Sequence, residues 1–171
     1  MPIRRDLRHH YGPTWKHVTR PLILRRAGGQ VTGPDENGRY VYHGGAHCER
    51  CNKRDGATVE TISIKDPDAG RLYMLWREAG STWHWQDGHP AQTPIGAIFE
   101  NQPRWLRNSK MSTTVLTVAH LNHIPGDDRD ENLEALCGWC HLHLDGPHHR
   151  ESRRGRKDTA RPLLPKLPNA S

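Results

Sequence analysis

The sequence is short of apolar material. Only 33% of its 171 residues are hydrophobic, phenylalanine occurs once, and mean hydropathy is −0.90. A chain of this composition buries a thin core for its length, and thin cores usually need staples. It has no apolar run near the roughly 18 residues of a membrane-spanning helix, which argues against a membrane partner. No apolar h-region follows Met1-Pro2-Ile3-Arg4-Arg5-Asp6, so no secretory leader is read there and a cytoplasmic location is expected. Cysteine is scarce as well: Cys48, Cys51, Cys137 and Cys140 form two C-x-x-C pairs far apart in the chain. Four cysteines allow three disulfide pairings. In a chain read as cytoplasmic, paired C-x-x-C motifs point instead to a metal site.

Basic residues, by contrast, are plentiful. The formal net charge is +6 and the pI about 9.4, with the excess gathered at the two ends. Arg4, Arg5, Arg8, Lys16, Arg20, Arg25 and Arg26 stand against the single acid Asp6 in the first thirty residues. Arg150, Arg153, Arg154, Arg156, Lys157 and Arg161 stand against Glu151 and Asp158 in the tail. Such arms suit a polyanion, most simply the phosphate backbone of DNA or RNA, with Arg4, Arg5, Arg8, Lys16, Arg153, Arg154, Arg156 and Lys157 as contacts. The same pattern also fits plain solvation of the chain ends.

The length suits one domain. Residues 1–12 read as a flexible basic arm, 13–149 as the domain and 150–171 as a disordered basic tail without apolar periodicity. A helix is expected from Pro13-Thr14 to about Ala27, with Thr14 as N-cap, Pro21 as a split or kink, and Gly28-Gly29 as the stop. A short strand is expected at Tyr40 to His43. Residues 52–112 read as a variable insertion in which Thr58–Ile64 and Leu72–Trp76 form a hairpin around Asp66-Pro67-Asp68-Ala69-Gly70. Trp83, Trp85 and Trp105 could stack on bases, but a small local core is the simpler reading. Val115–Ala119 and Asn132–Leu136 read as strands flanking an acidic loop whose acids solvate its tip. A short helix after Cys140 should stop at Gly146-Pro147.

Two C-x-x-C knuckles supply four thiolates, which suits a closed tetrahedral structural Zn²⁺ site. Cys137-Gly-Trp-Cys140-His141 also matches a c-type haem attachment pattern, but haem would leave Cys48 and Cys51 unexplained.

The stretch Thr117-Val-Ala-His120-Leu-Asn-His123, followed by Asn132-Leu-Glu-Ala-Leu-Cys137-Gly-Trp-Cys140-His141-Leu-His143, resembles the HNH endonucleases, especially the phage type with two zinc knuckles. Trp15-Lys16-His17-Val18-Thr19-Arg20 resembles a segment that such proteins carry before the first knuckle. The match covers about half the chain, roughly residues 13–29, 47–51 and 115–145.

The resemblance implies an α+β fold: a small ββα-metal module with a four-cysteine zinc site, an N-terminal helix and a β-hairpin insertion. It implies phosphodiester hydrolysis, with His120 as general base, Asn132 orienting His120 or its loop, and His141 binding a catalytic divalent ion such as Mg²⁺, Mn²⁺ or Ni²⁺. The helix after Cys140 would then lie against the DNA. Many family members carry Asp or His directly before the base, where this chain has Ala119. His123 is the preferred replacement ligand, with His143, Asp127 and Asp128 as further candidates; in a shifted register Asn122 is the ligand and His123 the base. His148 and His149 read as solvated. The implied partners are DNA, a second copy of the chain, or phage packaging proteins within a bacterial host. Two other functions fit the same residues: a non-catalytic, zinc-stabilised nucleic-acid-binding module, and a component active only within a packaging complex.

Overall fold

The computed structural model describes residues 11–65, 72–91 and 108–159. The arm residues Arg4, Arg5 and Arg8, the turn at 66–70, Trp105 and the chain beyond 159 lie outside these.

The N-terminal helix opens differently from its sequence reading. Thr14 has helical backbone angles and its side chain caps nothing. Its carbonyl instead accepts N–H groups from His17, Val18 and Thr19, giving a wide π-type turn over Trp15–Thr19. The α-helix proper, α1, is Arg20–Arg26. Pro21 falls in its first turn, where a missing N–H costs nothing, so the proline marks the change of helix type. Gly28 ends the helix at φ +85°, with its N–H on the Arg25 carbonyl. At Gly29 any side chain would collide with the Tyr42 ring and the Leu24 carbonyl.

Two short strands follow, β1 (Gln30–Thr32) and β2 (Val41–Gly44), paired antiparallel. The predicted hairpin is present as β3 (Thr58–Lys65) and β4 (Leu72–Glu78), with Ile62 opposite Leu75. It belongs to a four-stranded sheet with β5 (His84–Trp85) and β6 (Asn108–Thr113) in the order β5-β4-β3-β6. Trp83, Trp85 and Ala91 pack on Ile62 and Leu75 as a small separate core, which agrees with the simpler reading of those two tryptophans.

Strands β7 (Leu116–His120) and β8 (Leu133–Cys137) pair antiparallel, with Leu116 opposite Cys137 and His120 opposite Leu133. A helix, α2 (Gly138–Thr159), follows directly. The expected stop at Gly146-Pro147 does not occur, and the tail expected to be disordered from 150 is helical to Thr159. Proline removes one donor from the ladder, and the Arg- and Lys-rich residues beyond it are strong helix formers.

The main core is built where these pieces meet: Trp15, Ile23 and Leu24 from the N-terminal segment, Leu116, Ala119, Leu133 and Leu136 from the hairpin, and all four cysteines. Polar ties hold the same junction. Arg26 grips Glu49 through two hydrogen bonds of 3.1 Å and also donates to the carbonyls of Asp130 and Leu133. Glu49 accepts the Ala135 N–H, so one ion pair joins α1, the first knuckle and β8. Asp55 accepts the Leu116 N–H and the Tyr42 hydroxyl, each at 2.8 Å.

Burial first, and then the bond to Asp55, push the Tyr42 phenol up to about 12. The folded state therefore holds that proton at pH values where the unfolded chain, with a tyrosine near pH 10, has lost it. Stability contributed by the neutral phenol is complete below about pH 10 and lost as pH rises towards 12. Urea unfolding across that window should show a steady loss of stability in the wild type and a flatter profile in Tyr42→Phe.

Candidate functional site

Cys48 and Cys51 sit on a tight turn in which the Asn52 N–H reaches the Cys48 carbonyl and the Cys48 N–H reaches Lys53. Cys137 ends β8, and the first turn of α2 delivers Cys140. All four Sγ atoms lie within 4.8 Å of one another, and all four residues are buried. Cys51 Sγ and Cys137 Sγ are 3.6 Å apart and unbonded. Tetrahedral zinc with Zn–S near 2.3 Å sets sulfurs about 3.8 Å apart, so the cluster fits a structural metal ion such as zinc. Hydrogen bonding among the thiols, with Cys140 foremost, draws Cys137 down to about 6. Cys48 is lowered and Cys51 raised, each chiefly by bonding with Cys137, and Cys140 is raised by the same contact. A bound cation displaces the remaining protons.

His120 ends β7 in a nearly closed environment, 8% exposed. Its ring stacks on Trp15, with centroids 5.0 Å apart, and meets the edge of Tyr11. Its Nε2 lies 2.8 Å from Asp128 Oδ1. Nδ1 has no hydrogen-bond partner among the described residues. The loop from 121 to 131 is folded back by Asn132, whose Oδ1 accepts the Asn122 N–H while its Nδ2 donates to Asn122 Oδ1 and the Asp127 carbonyl. Asn132 thus holds the loop and makes no hydrogen bond to the His120 ring among the described residues.

Asp127 and Asp128, read as solvating the loop tip or as replacement ligands, are engaged within the loop and with His120. Asp127 is paired with Arg129 and bonded to Asn122, and chiefly through Arg129 its carboxyl sits well below the usual range, near 2. Asp128 holds His120.

His141 lies on the face of α2 that meets β7, where Nδ1 is 2.8 Å from Thr117 Oγ1. Burial lowers its pKa, which favours the neutral form that ligates metals. Its Nε2 is 3.5 Å from Asp145, one helical turn on. His123, held in a left-handed conformation at φ +58°, brings Nδ1 to 3.3 Å from the other oxygen of the same carboxylate. The two histidines named from sequence are therefore brought together by an acid that the sequence reading passed over. The signal was available: residues four apart on a helix share a face.

His148 stacks on His123 and His149 lies 3.9 Å from Asp145, so neither is a detached tail residue. His143 faces away from this cluster, stacked on Trp139. Ala119 is buried in the core. Lys16 is exposed beside Trp15, and Arg153, Arg154, Arg156 and Lys157 lie along the last turns of α2.

Compared with protein-family models, with curated proteins and with solved structures, the chain matches none.

The cysteine cluster makes a direct demand on folding. Structural zinc contributes about 10–16 kcal/mol in small domains, comparable to a whole domain's stability. Cys51→Ser should lose bound zinc, measured by elemental analysis, together with the cooperative thermal transition. A wild-type protein that holds no zinc yet keeps its cooperative transition would show that the cluster carries no structural metal.

Proposed function

We propose that the chain is a metal-dependent endonuclease of the HNH type, hydrolysing phosphodiester bonds in DNA. The observation that carries this reading is the pairing of His120 with Asp128 on the same hairpin–helix unit that gathers His123, His141 and Asp145.

With its proton on Nε2, shared with Asp128, the His120 ring presents the Nδ1 lone pair as a base. The carboxylate fixes that tautomer and stabilises the imidazolium formed when Nδ1 takes a proton from the attacking water. Stacking on Trp15 sets the ring plane. Asn132 serves one step back, holding the loop that carries Asp128.

Asp145, His141 and His123 offer one carboxylate and two imidazoles on one patch, a donor set suited to a divalent cation such as Mn²⁺, Ni²⁺ or Mg²⁺. Such an ion would stabilise charge on the phosphate and on the departing oxygen. In this reading Asp145 supplies what Ala119 lacks. Lys16 and the basic end of α2 would hold the backbone without reading sequence.

One observation favours a second reading. His120 is covered by Trp15 and Tyr11, which is also how a purely structural histidine is packed. On that view the chain is a zinc-stabilised nucleic-acid-binding module.

A plasmid-nicking assay with Mg²⁺, Mn²⁺, Ni²⁺ or chelator separates the two. Metal-dependent nicking is expected, lost by about 10²- to 10⁴-fold in His120→Ala. Asp128→Asn should fall by about 10- to 100-fold. DNA binding without cleavage under any ion, with zinc retained, would establish the binding module instead.

A further inference from the structure

A concavity of about 670 Å³ lies between the sheet and the start of α2. Strands β3 and β6 wall it, and Thr114, Val115 and residues 137–139 close it. None of His120, His123, His141 or Asp145 lines it. Its volume falls in the range of small-molecule sites.

The lining is chemically one-sided. Among the described residues it holds two lysines and six serine or threonine side chains, with no aspartate or glutamate. The Ser109 hydroxyl is committed to Glu60 at 2.9 Å, and the remaining lining of lysines and hydroxyls suits an anion. Lys53 is only 5% exposed, bonded to Gln86 at 3.1 Å and set over the Trp76 ring at 4.8 Å. It has no carboxylate partner among the described residues, and a buried ammonium is costly without a countercharge. A zinc tetrathiolate next to it would offset part of that charge. Lys110, on the β6 wall, is exposed and makes no ion pair among the described residues.

Thr114 adds an independent sign. It is 5% exposed, and its hydroxyl is buried with no hydrogen-bond partner among the described residues, a rarity that calls for a ligand or water. Its backbone is pinned to Gly56 and Ala57, so the side chain is carried by a fixed element. At the rim stands Trp139, half-buried, with His143 against one face of its ring.

We propose that this groove binds the phosphate of a nucleotide, with Lys53 and Lys110 supplying charge, Thr114 a hydroxyl and Trp139 a wall for the base. The phosphate could belong to a free mononucleotide or to a single strand. The site does not depend on hydrolysis elsewhere in the molecule.

The test is calorimetric titration of the zinc-loaded full chain, without added divalent ions. The probes are thymidine, inorganic phosphate, thymidine 5′-monophosphate and a short oligothymidylate. The monophosphate should bind at one site, thymidine should not, and inorganic phosphate should bind more weakly. Lys110→Ala and Thr114→Val should each weaken binding by about 3- to 10-fold, with zinc content unchanged. His120→Ala should leave it intact, which separates this site from the nuclease reading. Binding of the oligomer but not the monophosphate, weakened by the same two variants, would assign the phosphate to a strand. Equal affinity in wild type and both variants, no binding of any phosphate probe, or inorganic phosphate binding as tightly as the nucleotide would overturn the proposal.

Discussion

The rest of the structure depends on four buried sulfur atoms that join residues 86 to 92 positions apart in the chain. Around that junction the N-terminal segment, the first knuckle and the β7–β8–α2 unit share the main apolar core and the ties made by Arg26 and Glu49. The knuckle does more than contribute two sulfurs. Glu49 reaches Arg26 and Ala135, Arg50 reaches Glu134, and Lys53 reaches Gln86. Each residue lies between or beside the cysteines, so fixing the sulfurs fixes the donors and acceptors that bind every neighbouring element. Exposed ion pairs such as Arg50–Glu134 contribute little by themselves. Here they act after a stronger constraint has already set their geometry.

What could be read in the sequence follows from where side chains go. The β7 and β8 strands announce themselves because Leu116, Ala119, Leu133 and Leu136 enter the core. The β3–β4 hairpin shows because Ile62 and Leu75 pack beneath tryptophans. Strand β6, Asn108–Thr113, has no apolar alternation to betray it. It is an edge strand whose hydroxyls and lysine face an open groove, and only its register with β3 defines it. The π-type turn before α1 was equally silent, since helix periodicity cannot tell which carbonyl an N–H will choose.

The candidate site divides in the same way. The cysteines were legible from their spacing alone, because a four-thiolate cluster needs only two tight turns. His120, Asn132, His123 and His141 were singled out by resemblance, and their partners were not. Asp128 reaches His120 only because Asn132 folds the loop back, a tertiary fact. Asp145 was hidden by the assumption that the helix ends at Gly146-Pro147, which made everything near that pair look like a frayed terminus. Once α2 continues to Thr159, Asp145 lies well inside a helix, with His141 one turn before it and His149 one turn after.

The covering of His120 bears on both readings of the molecule. A ring enclosed by Trp15 and Tyr11 sits where water is scarce, and a scarcity of water strengthens the hydrogen bond to Asp128. If the ring is a base, the same enclosure fixes its orientation in advance of the substrate, which is the larger part of what such a residue contributes. The cost is access. Nδ1 can meet a water only along whatever path Tyr11 and Trp15 leave. The aromatic cover thus sets both the orientation of the ring and its exposure.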